Sequence, residues 1–194
     1  VGLLPVEGTF TLTQFDVTVG AYGGTFGAGS TGLALDLDAS VEVEGGPTVS
    51  GTLQLIQLTN TAGQTWLGVE ASNLFFGLEF GPLVLAVSDG SLLLNQAPVG
   101  QAKLNWNDAM AETSAPFDLA VAANISLEVS GSVTVDLAGL LTVEGTFTLT
   151  QFDITDAGLV GLVGVGATGL SLELSASAEI EGVTVTGDLK LIQI

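Results

Sequence analysis

The fold follows from a stretch that reads Thr31-Gly-Leu-Ala-Leu-Asp-Leu-Asp-Ala-Ser-Val-Glu42. Successive side chains of an extended chain point to opposite faces, so Leu33 and Leu35 share one face while Asp36 lies on the other. The same alternation of aliphatic with polar or acidic residues returns over residues 125–136. Both stretches therefore predict long β-strands with one apolar face and one acidic, hydrated face.

A long internal repeat organises the chain. The string Val6-Glu-Gly-Thr-Phe-Thr-Leu-Thr-Gln-Phe-Asp16 recurs letter for letter at Val143–Asp153, about 137 residues later. With one gap near Pro47, roughly 35 of about 57 aligned positions are identical, which far exceeds chance self-similarity. We therefore interpret residues 1–137 as one long repeat and residues 138–194 as the start of the next, cut from a longer array.

A weaker pattern divides the long repeat into about three subunits, roughly 1–45, 46–95 and 96–137. Its marker is a small or hydroxyl residue, then Gly or Asn, then Leu or Ile. The Gly or Asn of this marker is Gly32, Asn73, Asn124 and Gly169. Because Gly and Asn tolerate a left-handed backbone, we expect each to form a turn with positive φ that starts the following strand.

These patterns predict an all-β fold of tandem-repeat antiparallel sheets, arranged as a stacked β-sandwich, a wide β-solenoid or a tube-like array. Turns are predicted at residues 45–47 and 81–82 from their glycine and proline content. The pair Asp89-Gly90, between two apolar runs, predicts a two-residue hairpin loop. Residues 104–114 break the alternation and predict a loop or a single helical turn.

The charge balance excludes several functions. The chain has 21 acidic residues against two lysines, with no arginine, no histidine and no cysteine, which gives a net charge of −19. Nucleic acid is excluded as a partner because its phosphates require clustered cations, and an anionic membrane surface is disfavoured for the same reason. Without histidine, cysteine or arginine, the usual catalytic triads and thiolate metal sites are impossible, so we expect no catalysis.

Two sets of polar residues are candidate sites. Calcium prefers oxygen ligands, which Asn105, Asn107, Asp108, Asp153 and Asp156 supply, although no known calcium-loop spacing is present. The second set recurs at one repeat position inside apolar strands and consists of Gln14, Gln57, Gln151 and Gln193. These amides either form a hydrogen-bonded ladder between stacked units or are ordinary outward-facing strand residues.

The strings Val6–Asp16 and 169–181, in a chain poor in lysine and rich in Gly, Thr, Val and acidic residues, resemble the tandem β-repeat regions of giant prokaryotic cell-surface and adhesin-type proteins. This resemblance implies an extracellular or cell-surface location and a structural role in a filament, stalk or adhesin. The partners would be neighbouring repeats of the same chain or identical chains. Two alternatives remain open from the sequence, a lipid-handling β-groove and a segment of an outer-membrane β-barrel.

Overall fold

The computed structural model describes residues 6–17, 22–42, 48–80, 83–154, 160, 167–180 and 183–194. Within them the secondary structure is dominated by long β-strands, and a short helix lies between two of them. The strands are β1 Val6–Asp16, β2 Thr31–Glu42, β3 Thr48–Thr59, β4 Thr65–Phe80, β5 Leu83–Gln96, β6 Ile125–Leu137, β7 Leu141–Asp153, β8 Thr168–Ile180 and β9 Val183–Gln193. The helix α1 is Trp106–Glu112, between β5 and β6.

All nine strands belong to one antiparallel sheet, and their order in space is their order in the chain. The all-β, antiparallel prediction is therefore confirmed, whereas the described residues form one sheet rather than two stacked layers. Each strand pairs with the strand before it and the strand after it. This order places β1 and β9 at the two opposite edges of the sheet.

The strands that carry the repeated sequence also pair in the same way. In β1 and β2, Leu12 lies opposite Leu35; in β7 and β8, Leu149 lies opposite Leu172. Each of these residues is about 137 positions from its counterpart. The register of β3 on β2 also equals the register of β9 on β8. The same strand trio thus occurs twice in one sheet, six strands apart.

The longer connections lie at one end of the sheet, because alternate connections of an antiparallel meander emerge at the same end. They include residues 17–30 between β1 and β2 and residues 97–124 between β5 and β6. The second segment contains α1, which has seven residues and is longer than the predicted single turn. We call residues 97–124 the cap.

The hydrophobic core lies where the cap and the β1–β2 connection pack on this end of the sheet. Buried aromatic and aliphatic side chains from both segments meet the strands there. The cluster contains Val17, Phe26, Ala34, Ile56, Leu58, Trp66, Leu104, Trp106, Ala109, Met110, Leu119 and Val121. Most other strand side chains are half-buried or exposed, so the core occupies only part of the sheet.

The hairpin predicted at Asp89-Gly90 is wrong. β5 continues through both residues, and the stretches on either side of them pair with the same neighbour, β6. The register shifts between Ser88 and Ser91, and Asp89 has a φ of 50°. A β-bulge inside a long strand uses the same left-handed residue types as a tight turn, which explains the error. The turns predicted at 45–47 and 81–82 lie outside the described residues.

Candidate interaction surfaces

The cap is tied to the sheet by a buried asparagine on β5. Asn95, 1% exposed, donates its amide hydrogens to the carbonyls of Leu104 at 2.8 Å and Ala122 at 3.0 Å. Its Oδ1 accepts a hydrogen bond from Trp106 Nε1 at 2.9 Å. One side chain thus holds Leu104, Ala122 near the end of the cap, and the first residue of α1.

Two further contacts hold the segments around the core. Trp66 of β4 donates its indole N–H to the carbonyl of Ala102 at 3.0 Å, and its ring meets Phe26 edge-on at 5.2 Å between centroids. The backbone N–H of Asn105 donates to the Tyr22 hydroxyl at 3.0 Å. The β1–β2 connection, the cap and the sheet therefore form one packed unit.

The residues predicted as calcium ligands belong to two places in the fold. Asn105 precedes α1 as its N-cap residue, and Asn107 and Asp108 are exposed in its first turn. Asp153 is the last residue of β7, and its Oδ2 forms an ion pair with Lys103 Nζ at 2.7 Å. The lysine therefore already neutralises this carboxylate. Asp156 lies outside the described residues. Among the described residues, no group of three or more carboxylates is arranged to hold a metal ion.

The glycines predicted to form turns are instead inside strands. A Cβ on Gly32 would lie 2.1 Å from the Phe15 ring, and a Cβ on Gly169 would lie 2.5 Å from the Phe152 ring. Each glycine therefore leaves room for the phenylalanine opposite it on the next strand. Neither has a positive φ, because the requirement at both is space rather than a left-handed backbone.

The two asparagines of the same marker behave differently from each other. Asn73 has a φ of 53°, but it lies within β4 at a register shift rather than at the start of a strand. Asn124 is exposed immediately before β6 and has no positive φ. The four marker residues therefore do not share one backbone conformation.

The repeated glutamines lie on the apolar side of the sheet. Leu33 of β2 lies between Gln14 of β1 and Gln57 of β3. In the same way, Leu170 of β8 lies between Gln151 of β7 and Gln193 of β9. Directly opposed residues point to the same face, so a leucine separates each pair of amides by about 10 Å. The glutamines mark where the aliphatic rows end, near the connections that carry the core.

One side of the sheet, which we call the apolar face, is defined by two rows of cross-strand partners. The first row is Phe10, Leu37, Leu53, Ala71, Leu92, Val129, Leu149, Leu172 and Leu191. The second is Val6, Val41, Val49, Phe76, Val87, Val133, Gly145, Ala176 and Gly187. Both rows cross all nine strands without a polar or charged side chain.

The core does not cover the apolar face. The core strand residues Ala34, Ile56 and Trp66 alternate with residues of the apolar face and point to the other side, which we call the acidic face. At the edge of the apolar face Phe10 is 73% exposed and Leu191 is 54% exposed. The apolar face is therefore a continuous apolar surface that no residue of the core cluster shields, with its greatest exposure at the edges and its least near Ala71, which is 6% exposed.

The acidic face beyond the core is lined by hydroxyls and carboxylates. A shallow hollow of about 450 Å³ crosses β5 to β9, with Ser88, Thr134, Glu144 and Ser175 among its lining residues. Its polar lining and its breadth are those of a hydrated surface rather than an enclosed site.

The edge strand β9 exposes residues whose counterparts are buried. Ile56 and Leu58 of β3 are 0% exposed beneath the core, whereas Ile192 and Ile194, at the same repeat positions, are 67% and 58% exposed. β3 differs from β9 in having β4 and the cap beside it. β9 therefore has the sequence of the inner strand β3, but among the described residues it pairs with a strand on one side only.

Sequence reasoning missed Asn95 and the full extent of the apolar face. Asn95 stands alone at the end of an aliphatic strand and has no motif, so only its three hydrogen bonds in the structure identify it. The apolar face was detectable strand by strand from the alternation, but its continuity depends on the register. No helix in the described part of the chain is long and apolar enough to span a membrane.

Comparisons of the chain with models of protein families, with curated proteins and with solved structures gave no match.

Proposed function

We propose that this chain is a structural segment of an extracellular filament, stalk or surface adhesin, and that it works without catalysis. Its tandem repeats extend one sheet, strand after strand. The partners are neighbouring repeats of the same chain or identical chains, which meet at the sheet edges. The cell-surface location is supported by the resemblance to adhesin-type repeat regions and by an acidic surface that keeps such assemblies soluble.

The observation that carries this proposal is the equal register of the two strand trios, β1–β3 and β7–β9, six strands apart in one sheet. Six is an even number, so β7 runs in the same direction as β1. The side chains of β7 also point to the same faces as those of β1, since Leu149 and Leu12 both lie on the apolar face. A unit with these properties can be added repeatedly without reversing the sheet.

Both free edges support the same proposal. β7 pairs with β6, and β1 carries the same sequence as β7, so β1 is suited to pair with a preceding copy of β6. Likewise β3 pairs with β4, and β9 corresponds to β3. Unpaired edge strands of this length are sites of strand addition unless something blocks them. β9 has one lysine, Lys190, and that lysine pairs with Glu173 of β8.

The test is to place one further copy of residues 1–137 before Val1 and to follow hydrogen exchange along β1 of the original copy. We expect its outward-facing amides to exchange at least about tenfold more slowly, because β6 of the added copy pairs with them. The matched control carries an added copy of the same composition with the residues of β6 scrambled. If β1 exchanges equally fast in both chains, the sheet does not continue across repeats and the proposal is wrong.

A further inference from the structure

The apolar face is too large to be an ordinary surface feature. It spans nine strands, about 38 Å, and about 20 Å along each strand between the levels of Leu35 and Val41, which excludes the glutamine row at the level of Leu33. This gives roughly 750 Å², whereas exposed apolar patches on soluble monomers rarely exceed a few hundred Å². In the described part of the chain, the edge-to-edge growth proposed above adds strands beside this face and the core cluster lies on the other one, so the face is open to a partner of its own.

We propose that the apolar face is the interface between two copies of this chain, which pack sheet on sheet. The face offers each copy about 750 Å², which is close to the roughly 800 Å² per partner of a standard stable interface. The inference does not depend on growth at the edges, because it concerns the face and closes at two copies.

The distribution of charge favours a second copy despite the net charge of −19. Acidic strand residues such as Asp36, Glu128 and Glu173 lie opposite residues of the acidic face, away from the interface. Packed sheets are about 10 Å apart, so these carboxylates of the two copies are separated by more than about 15 Å. That separation exceeds the screening length of about 8 Å at physiological salt, so the repulsion is weak.

A lipid is less well suited to this face. The only two basic residues, Lys103 and Lys190, pair with Asp153 and Glu173, so neither is free to bind an anionic headgroup. Phospholipid recognition normally uses such cations. A bound lipid is therefore an outcome that would contradict the inference.

Two variants on adjacent residues of β6 test the inference. Val133 lies on the apolar face and Ser132 on the acidic face. We expect the unaltered chain to dimerise in sedimentation equilibrium and Ser132→Lys to dimerise equally well. Val133→Lys should weaken the dimer about 100-fold or more, because it buries an unpaired charge in the interface. Circular dichroism and thermal melting check that both variants fold.

A second readout does not require a buried charge. Nitroxide labels attached to Val133→Cys and Ser132→Cys report access of a water-soluble relaxation agent. Within the dimer, the label at position 133 should be shielded and the label at position 132 should remain accessible. The inference is overturned if the unaltered chain stays monomeric at every protein concentration of an about 100-fold dilution series that spans the micromolar range typical of weak dimers. It is equally overturned if native mass spectrometry finds monomers carrying lipid, or if Val133→Lys dimerises as well as Ser132→Lys.

Discussion

Replacing Asn95 by alanine should release the cap from the sheet. The side chain is 1% exposed and makes three hydrogen bonds, to the carbonyls of Leu104 and Ala122 and from the indole of Trp106. Its removal leaves the Leu104 carbonyl and the Trp106 N–H without their partner in the core, whereas the Ala122 carbonyl still accepts from the Ile125 N–H at 3.3 Å. Each such unsatisfied group costs about 1–3 kcal/mol, less where water can enter.

We therefore expect Asn95→Ala to lower the free energy of unfolding by about 4 kcal/mol. For a chain of this size that corresponds to a fall in melting temperature of roughly 8–16 °C. The assay is urea denaturation followed by tryptophan fluorescence, which is suitable because Trp106 and Trp66 both lie in the affected core. The matched control is Asn124→Ala, which makes the same chemical change at an exposed site before β6.

A double-mutant cycle isolates the bond between the amide and the indole. Trp106→Phe keeps an aromatic ring in the core but removes the N–H that donates to Asn95 Oδ1 at 2.9 Å. The two substitutions should couple by about 0.5–3 kcal/mol, as contacting residues do. The reasoning is refuted if Asn95→Ala and Asn124→Ala differ by less than about 0.5 kcal/mol, the usual range of a neutral surface change.

Two smaller perturbations test other contacts by thermal and chemical denaturation. Gly32→Ala should lower the free energy of unfolding by about 1–3 kcal/mol, because the added Cβ would lie 2.1 Å from the Phe15 ring. The matched control is Gly27→Ala, which has open space around it and should change the free energy of unfolding by less than about 0.5 kcal/mol. Equal effects of the two glycine changes would contradict the packing role of Gly32. Lys103→Met should lower the free energy of unfolding by about 1 kcal/mol at low salt, because the lysine is only 15% exposed in its ion pair with Asp153. Lys190→Met should lower it by less than about 0.5 kcal/mol, because the ion pair of Lys190 with Glu173 is exposed to water. A larger loss for Lys190→Met would refute this ranking.

The strands were predictable because alternation is a local signal. Leu33, Leu35 and Asp36 already assign β2 its two faces, and the repeated string of β1 and β7 implies equal pairing. The error at Asp89-Gly90 shows the limit of local signals, since a left-handed residue pair produces a turn or a bulge depending on which strand lies alongside. That information is non-local, and the neighbouring β6 supplies it.

The candidate surfaces were predictable only in part, for a related reason. Gly32 was predicted to form a turn with positive φ, but two physical requirements, a positive φ and close approach, select the same residue type. The structure distinguishes them because Phe15 lies over Gly32. Asn95 had no such signal, since its importance arises from groups up to 27 residues away in the chain.

The measurement that tests the central claim most directly is the length of chains that carry zero, one and two further copies of residues 1–137, determined by small-angle X-ray scattering. If the sheet continues across repeats, each copy adds six strands and lengthens the particle by about 29 Å. If each repeat folds as a separate globule, each copy adds about 37 Å or more, with increasing flexibility between units. A constant increment near the first value supports continuous strand addition, and an increment near the second contradicts it.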